Sequence, residues 1–236
     1  MPFVPVLHAE WLKIRTLRSL VGALAAILLV TVGFSAVAAA DPDHSDALFS
    51  AFFGVSLGQI AAVSFGAMAV AGEYRGGALR LTLAAVPDRT RWFAAKATAV
   101  ALPVLAAGLL TGLLTLALGR VTLGADAPTW GEGLRGAVGC ALYLTLMALL
   151  AAGLAAVLRS GVTTLALLIP FLLIVSFVIG DLSAGAADYL PDRAGQIALH
   201  STWDGALGPW SGLAVTALWT AAALLAGAWC VRRRDA

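Results

Sequence analysis

Residues 19–40 read SLVGALAAILLVTVGFSAVAAA, twenty-two residues without a single charge. An α-helix rises 1.5 Å per residue, so about 20 apolar residues cross the roughly 30 Å hydrocarbon layer of a bilayer. Five further stretches meet the same requirement, at 47–72, 97–119, 136–158, 162–180 and 207–231, and none contains Asp, Glu, Lys, Arg or His. A soluble domain is about 45–50% apolar and about 25% charged, whereas this chain is 61% hydrophobic and 12% charged. The expectation is an all-α integral membrane protein: a single transmembrane domain over 1–236, with six transmembrane helices.

The basic residues give the expected orientation. Lys13, Arg15 and Arg18 precede the first run; Arg75, Arg80, Arg89, Arg91 and Lys96 lie between the second and third. Arg159 and Arg232 to Arg234 complete twelve of the fifteen, leaving Arg120, Arg135 and Arg193 on the opposite side with nine of the thirteen acids. Cytoplasmic loops carry the excess of Lys and Arg, so both termini are expected in the cytoplasm, a parity that six spans satisfy. Thirteen arginines against two lysines, with abundant alanine, fit a GC-rich bacterial genome. The expected location is therefore the bacterial cytoplasmic membrane, with the lipid bilayer as a partner and no nucleic acid.

The AVAAAD sequence ending at Asp41 resembles a signal-peptidase site, but 22 residues exceed the roughly 7–15 of a signal-peptide core. A retained first span is expected. Ahead of it, residues 3–18 place Leu7, Trp11 and Ile14 on one helical face, with Glu10 near its edge. This reads as an interfacial helix leading into span 1, or as an ordinary positive flank.

Residues 73–96 concentrate charge: seven of these 24 are ionisable, five of them basic. Gly76 and Gly77 break the helix, ALRLTLAAV over 78–86 forms a short helix, and Pro87-Asp88 turns the chain into span 3, with Trp92 at the interface. A compact knob with one amphipathic helix suits a groove on a partner; a plain orientation signal is the other reading.

Glu73-Tyr74-Arg75, the glycine pair, the leucine-rich stretch, Pro87 and then Arg89 to Lys96 resemble the first cytoplasmic loop of ABC-2 class ABC transporter permeases. Ala78 stands where that family commonly has Thr, and Asp88-Arg89 replaces a small polar residue before the Arg. HAEWLKIRTLRS (8–19) is likewise similar to the family's N-terminal segment. The resemblance implies the membrane subunit of an exporter, paired with a second permease subunit (homodimer or heterodimer) and an ABC ATPase. It implies a coupling element made of Glu73, Tyr74, Arg75, Leu79, Leu83, Pro87 and Arg89, with a second contact at Arg159. It also implies re-entrant or cap helices within the external segment 181–209.

The chain has no G-x-x-x-x-G-K-[ST] phosphate loop, no catalytic constellation and no metal-ligand spacing. ATP and Mg are expected on the partner ATPase, with no cofactor bound by this chain and no enzymatic activity of its own. Cys140 and Cys230 sit in apolar runs and read as small buried hydrophobes. Ser56, Gln59 and Ser64 put polar atoms within span 2, as pathway residues or as helix–helix hydrogen-bonding groups. Three Gly-x-x-x-Gly pairs, at 54/58, 108/112 and 208/212, are possible close-packing sites; Pro103 and Pro170 are possible kinks. Charge-free spans suit a hydrophobic or amphipathic cargo: drug, antibiotic, lipid or peptide. An ion-coupled secondary transporter, which usually carries an intramembrane ionisable group, and a non-transporting scaffold are the alternatives.

Overall fold

The computed structural model describes residues 3–40, 46–175, 185, 187–203 and 205–233. Among them every regular element is helical. In chain order these are α1 (Phe3–Thr16), α2 (Arg18–Ala38), α3 (Ala47–Phe52), α4 (Val55–Ala71), α5 (Ala78–Ala85), α6 (Arg89–Leu123), α7 (Trp130–Leu158), α8 (Gly161–Pro170), α9 (Pro191–Gln196) and α10 (Pro209–Arg233).

Five helical stretches are long and apolar enough to cross a membrane: Arg18–Ala38, Ala47–Tyr74, Arg89–Asp126, Trp130–Leu158 and Pro209–Arg233. This is the make-up of a multi-pass membrane protein. The expected fifth span, 162–180, runs beyond the described residues. Its described part is the shorter apolar helix Gly161–Ile174, in which α8 ends at Pro170 and a π-helical turn follows over Phe171–Val175. Proline removes a backbone donor and crowds the preceding turn, and π turns are a common way for a helix to absorb such an irregularity. Residues 176–184 lie outside the described part, as do 186 and 204 of the expected external segment.

Side-chain caps set four of the ten described helix starts. Asp46 accepts from Phe49 N at α3, Asp88 from Arg91 N at α6, and Ser160 from Thr163 N at α8. At α7, Thr129 and Glu132 form a reciprocal capping box. Each satisfies a backbone donor that the first turn leaves without an intrahelical partner.

The centre of the bundle is α7, which packs against α4, α6 and α10. Small residues bring these backbones together. A Cβ on Gly108 or Gly112 of α6 would lie 2.8 or 2.7 Å from Ala141 Cα or Ala137 O of α7. One on Gly66 of α4 would lie 1.9 Å from Ala148 O, and one on Gly54 1.9 Å from Thr31 O of α2. Lipid-exposed surfaces give helices no hydrophobic reason to associate with one another, so close van der Waals approach carries the association. The Gly-x-x-x-Gly pairs 54/58 and 108/112 thus sit at tight crossings; of the third pair, Gly212 packs on Ala194 O while Gly208 meets only Trp203 and Ser211. Pro103 leaves α6 a single helix of 35 residues.

Candidate functional site

Four contacts gather one end of the bundle: Tyr74 Oη donates to Ala156 O (3.3 Å), Arg89 to Val231 O (2.9 Å), Lys96 Nζ to Glu73 Oε1 (2.6 Å), and Gly161 sits against Ala71. The same end holds α1 and α5. We call it the basic end.

At its heart is a cluster of four charges, three of them buried. Glu10 of α1, Glu73 after α4 and Lys96 of α6 are 1%, 5% and 3% exposed. Lys96 is paired with both carboxylates. Lys13, one turn after Glu10, donates to Glu10 Oε1 and Glu73 Oε1, each at 2.9 Å. Trp92 Nε1 donates to Glu10 Oε1 at 3.2 Å, and Thr82 of α5 donates to Glu73 Oε2 at 3.3 Å. Four elements are thereby tied at one point: α1, the end of α4, α5 and the start of α6. Burial disfavours the charge on Lys13, but hydrogen bonds to Glu73 and Glu10, with their negative charge, outweigh it and hold its pKa above the ordinary value.

This cluster revises two expectations. On α1 the buried face is Val6, Glu10 and Ile14, not Leu7, Trp11 and Ile14. The helix is turned so that Glu10 reaches two ammonium groups and an indole, which outweighs keeping a carboxylate in water. Trp92, expected at the interface, is fully buried because its N–H serves Glu10. The helix of span 3 starts at Arg89, directly after the Pro87-Asp88 turn, so that Lys96 lies inside a continuous helix.

The residues expected to couple to a partner divide into two sets. Glu73 and Leu79 are buried, and Leu83 and Tyr74 are half-buried against the core. They anchor the loop. Arg75, Arg80, Leu81 and Pro87 face outward, Leu81 at 76% exposure. Gly76 and Gly77, both at positive φ, let the chain turn from the anchored Glu73 into α5. Arg159 caps α7 in a left-handed conformation (φ 54°), with its guanidinium over the Tyr74 ring at 5.7 Å. Arg89 is spent on the end of α10. The outward-facing Leu81 was not singled out from the sequence: an 8-residue helix gives too short a pattern to say which leucines point in.

A second buried polar group lies deep in the bundle. Ser56 Oγ donates to Gln196 Oε1 (3.0 Å), Gln196 Nε2 to Tyr143 Oη (3.2 Å), and Tyr143 Oη to Gln59 Oε1. Gln59 Nε2 closes the chain on Ser56 O at 2.9 Å. Tyr143 stands near the midpoint of the 29-residue α7, so α9 reaches well into the bundle. Gly195 makes this possible, because a Cβ there would lie 2.3 Å from the Tyr143 ring. Thr216 of α10 holds the same segment by donating to Pro191 O at 2.8 Å. Ser64 is outside this network.

Nearer the opposite end, Asp46 accepts from Ser201 N and Ser201 Oγ (2.7 Å) and pairs with His200 Nδ1 at 3.0 Å. Partial burial of Asp46 opposes its charge, but hydrogen bonds from Phe49 N, Ser201 and His200 hold its pKa below the usual value. The His200 ring stacks on Phe49 at 4.3 Å, and Arg135 donates to His200 O at 2.7 Å. No protein-family model matches the chain, and no curated protein matches it closely enough to count as a relative.

Proposed function

We propose that this chain is the permease subunit of an ABC-type exporter, with two cytoplasmic termini and six crossings, acting with a second permease subunit and a separate ABC ATPase. Nucleotide-driven movement of the ATPase displaces α5, and the bundle alternates between inward- and outward-open arrangements that carry a hydrophobic or amphipathic cargo. The observation that carries the reading is the mounting of α5. It presents Arg80 and Leu81 outward, while Glu73, Leu79 and Thr82 tie it to α1, α4 and α6. A knob fixed rigidly to three bundle elements transmits displacement; a loose loop does not.

Support for a sixth crossing comes from the chain's path. Among the described residues, it leaves α7 at the basic end, where Gly161 touches Ala71, and meets that end again along α10, whose last turn meets Arg89.

The test is co-purification from native membranes of the tagged chain beside a Leu81→Asp/Arg80→Ala variant. The expected result is an ATPase in near-equal amount with the wild type and its loss with the variant, both chains remaining folded. Absence of any ATPase in several mild detergents overturns the reading.

One observation favours the ion-coupled alternative. Asp192 of α9 is 4% exposed, on the segment that reaches Tyr143 and Gln59. Buried carboxylates at depth serve proton or cation coupling. Uptake or efflux in proteoliposomes driven by a pH or sodium gradient without ATP, and abolished by Asp192→Asn, would replace the exporter reading with this one.

A further inference from the structure

A cleft of about 720 Å³ lies at the basic end beside the charge cluster. Its floor is the end of α4, on which α2 and α8 both pack. Leu20, Met68 and Leu165 make its apolar wall, and Lys13 and Arg75 stand at its charged side. Leu17, Leu81 and Val162 at its margin are 51%, 76% and 73% exposed, so the cleft is open and its rim is apolar.

The two chemistries are arranged by depth. Leu20 is the third residue of α2 and Leu165 the fifth of α8, so at 1.5 Å per residue the apolar wall begins within roughly 6 Å of the helix starts. That is where a bilayer passes from headgroups to acyl chains. On the headgroup side the lining carries Lys13, Arg75 and Lys96 against the single carboxylate of Glu73. Lys13 and Lys96 are engaged by Glu10 and Glu73. Arg75 is exposed, and no described carboxylate pairs with it. Its guanidinium offers a planar fork of donors suited to a phosphate.

We propose that this cleft binds one anionic phospholipid, its phosphate at Arg75 and Lys13 and an acyl chain along Leu20, Met68 and Leu165. A protein segment fits less well, since the apolar wall lies at the depth of the bilayer boundary and a peptide there would bury backbone groups without partners.

The test uses the full chain in nanodiscs containing a trace of chain-photoreactive phosphatidylglycerol or, separately, chain-photoreactive phosphatidylcholine, with cross-links mapped by mass spectrometry. The expected result is labelling concentrated on peptides bearing Met68 and Leu165, favouring phosphatidylglycerol roughly fivefold, the worth of one basic side chain at a charged membrane surface. Arg75→Ala removes that preference, and Leu165→Trp removes labelling there by both lipids. Labelling of the outward face of α10 at Leu225 and Trp229 stays constant in every variant and reports an intact bundle. Equal labelling by the two lipids, or labelling at Met68 and Leu165 no stronger than on that α10 face, overturns the proposal.

Discussion

The Lys96 ammonium of α6 lies against the Glu10 carboxylate of α1, with both side chains at most 3% exposed. A helix at the edge of the bundle is thereby bonded to the helix that runs through it. Two charges taken from water are tolerable together and costly apart, because breaking such a pair strands the remaining one.

The first prediction follows from that asymmetry. Lys96→Met leaves Glu10 and Glu73 with Lys13 as their one described ammonium partner and should cost about 3–5 kcal/mol, the usual penalty for removing one partner of a buried pair. Adding Glu10→Gln should restore part of the loss despite removing a second charge. Thermal unfolding of the single and double variants in detergent checks this; a double variant less stable than Lys96→Met means the cluster is not coupled as described.

Gly66 faces Ala148 O of α7 so closely that no side chain fits without backbone movement. Gly66→Ala should lower the melting temperature markedly, whereas Gly33→Ala on α2, where nothing lies within 4 Å, should be neutral or slightly stabilising through helix propensity. Equal effects at the two positions would contradict the packing argument.

Tyr143→Phe removes the hydroxyl between Gln196 and Gln59. It leaves the buried Gln59 Oε1 and the half-buried Gln196 Nε2 without their shared partner, at a cost of about 1–3 kcal/mol. The loss should appear locally, as faster hydrogen exchange and easier proteolysis over residues 187–199, with α6 unaffected. Uniform loss of protection across the chain would show that this network is part of the general core.

The pH prediction concerns Asp46, whose folded pKa is held below the ordinary carboxylate value. Such a group contributes stability that is present above the unfolded pKa, about 3.9, and is lost as pH falls through the folded value. The stability advantage of the wild type over Asp46→Asn should therefore be present at about pH 5 and shrink below about 4. An advantage that persists undiminished at pH 3 would show that the carboxylate charge is not what holds Ser201 and His200.

Much of the fold is legible in the chain because a bilayer imposes one-dimensional rules. Lengths of uncharged residues mark the five long helices, although α6 and α7 begin eight and six residues ahead of their uncharged runs, at Arg89 and Trp130. The short α5 and its glycine turn are legible for a similar reason, since breakers and caps act locally. Burial on α5 was not: alternate leucines look alike until neighbours are placed around them, and Leu79 points in while Leu81 points out. The expected pathway residues show the same limit. Ser56 and Gln59 share a network with Gln196 and Tyr143, but the sequence gives no hint that a residue so far along the chain would join them.

By itself the sequence determines what is a matter of length, hydropathy and local turn chemistry: an all-helical, multi-pass chain with most of its basic residues gathered in a few segments. Only the tertiary structure decides which charges are buried. Glu10, Glu73 and Lys96 read individually as flanking residues on the wet side of the membrane. They leave water because α1, α4 and α6 bring opposite charges within hydrogen-bonding distance, and that compensation is a property of the assembled bundle, to which no single segment holds the other half.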